Sequence, residues 1–522
     1  STPTKPFRFP TGSSTRSVSS VRLMAPDNDD ARGDDPGGGI WSPRYLPVTL
    51  ANLTIVAIAA FDGLALVAAL PSIADDLGGV ALLPWVITAF LATSAVAGIT
   101  AGPIIDAVGV RRTFRVTGLW FLASSAAAAA APNMPMLVVA RALEGSGGGL
   151  VISVALAAVG LSYPNRLRPR AFAAISMVWG VLGFGGPAIT AGLLAVAGWR
   201  MIFVVQLPIT ALALAAGWRR LPSTRERPQR IVMDVRGIAL IAALVVISLL
   251  AVSQSGIRWW ATGVGAAAAI ALGAAFWAHS GRAEHPLVER EHIIRFPLKR
   301  VHMTSGLVLI AGLAADNYLP LYMQTTRGRS ESFAAFSVLF LTVGWTSAAF
   351  VVSRLLEHRW READAIMLGS LILVPAVTLG GLGVALTWPI PVIFAAFFFM
   401  GTAIGFVSTS GLTLLQSAAA ENEMGRVNSA HQFVRTICIT YGVAIGGAIL
   451  LFVVDRQIGD VEVVRDALGG EQVDASGPTL DAIRDGLAWV HVFSGIAALG
   501  CVAAAGVLWR QTRDRTVVAA RA

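Results

Sequence analysis

Gly102-Pro-Ile-Ile-Asp106-Ala-Val-Gly109-Val-Arg111-Arg112 is a short polar hinge between two long apolar runs, residues 82–105 and 113–132. Each run approaches the roughly 20 residues that a helix rising about 1.5 Å per residue needs to cross a hydrocarbon layer of about 30 Å. A turn carrying Asp, two Gly and two Arg between such runs reads as a membrane hairpin. The glycines allow a tight turn and close helix approach. Asp106, at a helix terminus, is placed to pair with a basic residue on a neighbouring helix.

The same template extends from this hairpin in both directions. It gives segments at 48–72, 82–105, 113–132, 135–160, 171–194 and 199–217. After a polar, Arg-rich stretch from Trp218 to Arg230 come two more, at 235–254 and 259–279. A basic linker from Gly281 to Arg300 then precedes six further segments at 302–324, 333–353, 364–386, 389–415, 431–454 and 486–509. The expected fold is an all-α integral membrane protein of 14 transmembrane helices in a 6+2+6 arrangement. Residues 46–218 form one six-helix bundle, 219–300 a linker with two extra helices, and 301–509 a second six-helix bundle that includes an outside loop at 455–485. Tails are expected at 1–45, disordered and cytoplasmic, and at 510–522, cytoplasmic.

Composition points the same way. The 522 residues are 55% hydrophobic and only 14% charged, with a mean hydropathy of +0.67, too apolar for a soluble domain with a polar surface. The 53 Gly and 14 Trp suit close helix packing and interfacial anchoring. A net charge of +9 in such a chain reflects loops facing anionic lipid rather than nucleic-acid binding. With the N-terminus inside, 30 of the 40 Lys and Arg fall in inside loops and tails, 7 outside and 3 (Arg141, Arg236, Arg435) within spans, as the positive-inside rule requires. Cys438 and Cys501 lie in apolar runs and exclude a disulfide framework or a thiolate metal site. The first 45 residues hold no apolar core of a signal peptide.

The hinge from Gly102 to Arg112 resembles the signature loop of the major facilitator superfamily, G-x-L-A-D-R-x-G-R-K-R, through Gly102, Asp106, Gly109, Arg111 and Arg112. Ala107 and Val110 stand where the family has basic residues, so a thinner charge network is expected. Arg141-Ala-Leu-Glu144-Gly145-Ser-Gly147-Gly148 resembles the family's R-x-x-Q-G-x-G-A element, with Glu144 in the place of Gln. Gly183, Gly186 and Pro187, followed by Trp199-Arg200-Met201-Ile202-Phe203 and Gln206-Leu207-Pro208, resemble the kink motif and downstream element of the fourteen-helix drug:proton antiporters. Thr190 and Ala191 replace that motif's last glycine pair, and Gln206 replaces Asn. Phe61-Asp62-Gly63 through Pro71, Asp234-Val-Arg-Gly237 and Leu319-Pro320 through Gln324 are similar to the same branch. The resemblance implies alternating-access transport with a cavity lined by the first and fourth helices.

Intramembrane charges supply the candidate site. A charged residue near mid-membrane costs roughly 2.5–3.5 kcal/mol on insertion scales, so it normally faces a partner or a wet cavity. Asp62 and Glu144 each lie about nine residues below the outer end of their spans, a common depth at ~1.5 Å per residue. Asp62, Glu144 and Asp316 are proton-coupling candidates, with Arg141 and Arg435 as charge partners. Asp316 is read as a substrate or proton contact or as a structural pair with Arg435. Arg435 in turn is a contact for Asp316, an anionic substrate or a lipid headgroup. Trp85, Trp179, Trp345 and Phe397 to Phe399 are candidate cavity aromatics.

The function expected is proton-driven export of amphipathic compounds from a bacterial plasma membrane by a monomer, with protons, lipids and a small-molecule substrate as partners and neither cofactor nor metal. Lipid, siderophore or metabolite transport is the alternative of the same fold. An enzyme reading, a membrane glycosyltransferase using Asp75 and Asp76, is disfavoured because their loop is too short to hold a sugar donor and metal. Lys5 and Lys299, the two lysines, lie in no G-x-x-x-x-G-K-[ST] phosphate loop, which disfavours an ATP-driven pump.

Overall fold

Proline, asparagine and glycine mark where the helices start and stop. The computed structural model describes residues 38–79, 82–222, 230–253, 258–459 and 477–521. Helix α1 (Leu46–Leu77) has a proline in its first turn and ends at Gly78, whose φ is +62°. Helix α2 (Leu83–Val108) ends at Gly109, φ +83°, which also opens α3 (Val110–Ala129). Only glycine adopts that backbone freely, so the hinge can turn without strain. Asn133 caps α4 (Met134–Ser162) by accepting from the Met136 N–H, the ordinary role of Asn at a helix start. Then come α5 (Arg168–Ala197), α6 (Arg200–Gly217), α7 (Val235–Ser253), α8 (Trp259–Ser280) and the short α9 (Arg290–Ile294). After these follow α10 (Leu298–Asp316), α11 (Leu319–Gln324), α12 (Glu331–Ser337), α13 (Leu339–Glu357), α14 (Glu362–Ala385), α15 (Ile390–Ala418), α16 (Met424–Ile458) and α17 (Gly477–Arg521).

Each apolar segment expected from the sequence lies largely within helix. Among the described residues, 11 helical segments are long and apolar enough to cross a membrane, or 12 when α5, whose axis turns by 52° between Asn165–Gly183 and Ala188–Ala197, is counted as one span. That turn coincides with the Gly183, Gly186, Pro187 motif. Helix α3 is less apolar because Arg111, Arg112 and Arg115 occupy its first two turns.

The ends differ from expectation. The packed chain begins before residue 46: Ile40 and Tyr45 are buried, Thr49 Oγ1 donates to the Ile40 carbonyl at 2.6 Å, and Tyr45 lies against Tyr163 with ring centroids 5.3 Å apart. The burial of two apolar side chains holds this stretch. At the other end, the expected tail at 510–522 is helical through Arg521. Residues 1–37 of the expected N-terminal tail, and 460–476 of the loop expected at 455–485, lie outside the described residues.

Packing repeats itself without sequence repetition. In the first group, α2 and α3 pack on α4, α5 and α6 on α1, and α6 on α3. In the second, α13 and α14 pack on α15, α16 and α17 on α10, and α17 on α14. Position by position, these are the same neighbours, as expected of two parallel structural repeats. The groups meet where α2 touches α16 and α5 touches α13, again a symmetric pair. Helices α7 and α8 pack on each other, and α7 leans on α2.

Candidate coupling and substrate site

The first group of helices brings Asp62 from α1 together with Arg141 and Glu144 from α4. Arg141 Nη1 donates to Asp62 Oδ1 and Oδ2 at 2.8 and 3.0 Å, and to Glu144 Oε2 at 2.6 Å. Spacing by three residues puts Arg141 and Glu144 on one helical face, and the equal depth of Asp62 completes the contact. Arg141 also donates through Nε to the Val86 carbonyl at 3.3 Å and lies over the rings of Phe90 and Phe203, 4.2 and 5.7 Å from their centroids. Ser125 of α3 donates to Glu144 Oε1, and Gln206 of α6 donates to Asp62 Oδ1 at 3.2 Å. Asp62 and Glu144 are 0% exposed and Arg141 1%, so this cluster is sealed from solvent in the conformation seen here.

Five helices, α1 to α4 and α6, therefore build the cluster, and sequence reading named three of its residues. Ser125 and Gln206 were missed as members. Gln206 carried a signal, since it replaces the Asn of a recognised motif, whereas a serine in an alanine-rich helix gives none.

Asp316 and Arg435 are not a pair. The parallel helices α10 and α16 meet where Gly306 faces Cys438, Gly442 faces Ile310 and Gly446 faces Ala314. In that register, Arg435 lies level with Met303 and Asp316 with Ala448 of the neighbouring helix, roughly 20 Å apart along the axis at ~1.5 Å per residue. Asp316 Oδ1 and Arg435 Nη1 are both buried with no hydrogen-bond partner among the described residues. The Arg435 guanidinium lies 6.0 Å from the Trp345 ring centroid. Of the other aromatic candidates, Phe397 is core, while Trp85, Trp179 and Phe399 are exposed.

One end of the molecule is closed by the signature hinge. Asp106 accepts from the backbone N–H groups of Gly425 and Arg426 at 2.9 and 3.1 Å, with Arg426 Nε at 3.9 Å. The expected partner was a basic side chain; the main partner is the N-terminus of α16, whose free N–H groups and dipole favour an anion. A Cβ on Gly102 would lie 2.7 Å from Arg426 Cα, so glycine is what permits this approach. Gly109 provides the turn, Arg111 Nε donates to the Leu221 carbonyl at 2.5 Å, and Arg112 is exposed. At the same end, Gln416 donates to the Leu156 carbonyl at 2.9 Å, Thr346 to the Ser176 carbonyl at 3.2 Å, and Arg170 pairs with Glu357. Towards the other end α5 is less covered by its neighbours. Residues 188, 189, 191, 192 and 195–197 of α5 are all exposed, covering more of the helix circumference than the single stripe that faces lipid.

The linker reinforces the closed end, which sequence reading did not anticipate. Glu289 bonds Arg426 at 2.8 Å and Glu423 bonds Arg295 at 3.2 Å. His292 lies between them, 3.8 Å from Glu289 and 4.0 Å from Glu423. Burial, with Arg295 and Arg426 nearby, holds His292 below its usual pKa despite the two carboxylates. Asp234 ties the linker together, accepting from Gly237 N–H (2.8 Å) and Leu287 N–H (3.0 Å) and bonding His279 at 2.8 Å. Burial pushes its pKa up, but these contacts outweigh it and leave the carboxyl below its ordinary value.

Two helical groups repeating one packing pattern, with buried charges between apolar spans and one closed end, define a multi-pass membrane transporter of the paired-bundle class. Residues 53–443 match the Major Facilitator Superfamily, and the chain belongs to that family. It is 30% identical over 458 residues to a "Probable multidrug-efflux transporter" of Mycobacterium tuberculosis, covering 83% of this chain and 91% of that protein. It is 27% identical over 421 residues to a multidrug transporter protein of Bacillus subtilis, covering 79% and 76%. The fold is similar to that of a human organic anion transporter, with a TM-score of 0.60 at 14% identity over 87% of this chain and 99% of that one. A proton:xylose symporter gives 0.57 at 12% identity over 89% and 95%. The chain is thus a transporter and not an enzyme.

Proposed function

We propose that this chain is a proton-coupled exporter of small amphipathic molecules in a bacterial plasma membrane. In this reading 14 helices cross the membrane, α10 with α11 and α12 with α13 each counting as one span, and both termini are cytoplasmic. The bundles are residues 46–218 and 301–509, with 219–300 linking them. The Asp106 end is then cytoplasmic, and the structure is outward-facing. The names of the curated relatives support efflux.

One observation carries the coupling: two buried carboxylates share one guanidinium nitrogen at mid-membrane. With all three groups ionised, two negative charges meet one positive, an excess of −1 that a single proton neutralises. Desolvation makes that excess costly, so loading a proton stabilises the sealed state. Opening to water on the other side releases it. The inward proton gradient supplies roughly 2.3 kcal/mol per charge per 100 mV.

The test is dye efflux from loaded cells or inverted vesicles, with and without an uncoupler, for the intact chain and Asp62→Asn. Uncoupler-sensitive efflux should vanish in the variant. Efflux that persists unchanged would move coupling away from Asp62, to Glu144 or Asp316. A cell in which neither form moves dye would favour a narrow-specificity metabolite transporter.

A further inference from the structure

Arg435 is the charge that the coupling cluster leaves unexplained. It projects from α16, one turn above His431 and one turn below Cys438. His431 is engaged through Nδ1 with His302 Nδ1 at 2.9 Å, and Cys438 packs over Gly306. No carboxylate of the described residues lies within ion-pair distance of Arg435, and its Nη1 is shut from solvent with no hydrogen-bond partner. The surrounding stretch, residues 432–441, is half-buried throughout, so it is neither tightly packed core nor a fully exposed face. Trp345 of α13 lies beside it, its ring centroid 6.0 Å from the guanidinium. An arginine at this depth is tolerated where a counter-charge arrives, and its planar fork matches the oxygens of a carboxylate, sulfonate or phosphate in pairs.

We propose that Arg435 and Trp345 form an anion-binding subsite where α16 faces α13, so that the compounds carried bear a negative charge attached to an aromatic or apolar body. The guanidinium holds the anionic group, and the Trp345 indole offers a flat apolar face to the body beside it. This deepens the reading of the chain as an exporter of small molecules and rests on it for the transport half of the test. Export of an anion against proton entry moves positive charge inward on both counts, so an inside-negative potential drives the exchange.

The experiment uses the full chain purified into phosphatidylcholine, with 1-pyrenesulfonate and pyrenylmethyl-trimethylammonium as probes that share a pyrene body and carry opposite charges. Binding is read by equilibrium dialysis, and release from proteoliposomes is read under an imposed proton gradient. The intact protein should bind the sulfonate at least about tenfold more tightly than the ammonium. Arg435→Gln should lose that preference, Arg435→Glu reverse it, and Arg435→Lys keep much of it; retained thermal transitions verify that each variant is folded. Equal affinities, failure to bind the sulfonate, or a preference unchanged in Arg435→Gln would overturn the proposal. Displacement of the sulfonate by phosphatidylglycerol would overturn it too, by assigning Arg435 to a lipid headgroup. Sulfonate binding without gradient-driven release would uphold the subsite and sink proton-driven export, whereas release of both probes alike would do the reverse.

Discussion

Arg141 and Arg435 are both guanidiniums set among aromatic rings inside the helical bundles, and their surroundings are opposites. Arg141 meets two carboxylates and a backbone carbonyl and is 1% exposed. Arg435 meets one indole and leaves Nη1 unpartnered. The same packing pattern thus holds a sealed, over-acidic cluster in one half and a buried, unanswered cation in the other. A buried charge with its partners resists removal, because its loss strands them; a buried charge without partners is held by the fold at a cost. We read the first half as the seat of coupling and the second as the seat of substrate recognition.

The sharpest way to break that comparison is to neutralise each arginine in turn. Arg141→Gln leaves two buried carboxylates facing each other and should lower stability by about 3–5 kcal/mol, read as a lost or strongly depressed thermal transition in detergent. Arg435→Gln should stay within about 1 kcal/mol of the parent. Converting Asp62 to Asn and Glu144 to Gln in the Arg141→Gln background should recover much of the loss. Equal destabilisation by the two arginine substitutions would erase the distinction.

A second contrast is between the closed end and the less covered one. Gly425 packs so closely on Asp106 and Gly102 that a Cβ there would lie 2.9 Å from the Gly102 carbonyl oxygen. Gly425→Val should therefore open the closed end, shifting the population by about tenfold or more, equivalent to ~1.4 kcal/mol. Spin-label distances across α2 and α16 would report it. An unchanged distance distribution would mean that another contact holds the end shut.

The pH of the solution bathing that end should act on it through His292. Its pKa in the closed form lies below the ordinary 6.5, so an opened end, with the ring in water, binds more protons. Closure is then fully favoured above about 6.5 and weakens as pH falls through that value towards the lowered one. Glu289, Glu423, Arg295 and Arg426 face the ring, and His302 Nε2 bonds the His292 carbonyl at 3.0 Å. His292→Gln should flatten the pH dependence of the spin-label distances; an equally steep profile would move the sensor elsewhere. The smallest effect is expected at the half-exposed Arg170 and Glu357 pair, where Arg170→Ala should cost about 0.2–1 kcal/mol of stability.

The helices, their order and the hinge were legible in the residues because a membrane span needs a long apolar run and a turn needs glycine, both written locally. The meeting of Asp62 with Arg141 and Glu144 was legible in two parts: rise per residue put Asp62 and Glu144 at one depth, and the resemblance to the major facilitator superfamily implied that their helices line one cavity. Other features depended on which helix faces which. The register of α10 on α16 parts Asp316 from Arg435, although both are intramembrane charges in the same half. The approach of Gly102 to Gly425 gives Asp106 a helix N-terminus instead of a basic side chain. Folding of the linker back onto α16 recruits Glu289, His292 and Arg426, whose neighbours in sequence say nothing of one another. Depth is set by the chain alone, because the bilayer measures each helix independently; azimuth and register are set only when helices pack, and in those two coordinates a buried charge finds its partner or is left without one.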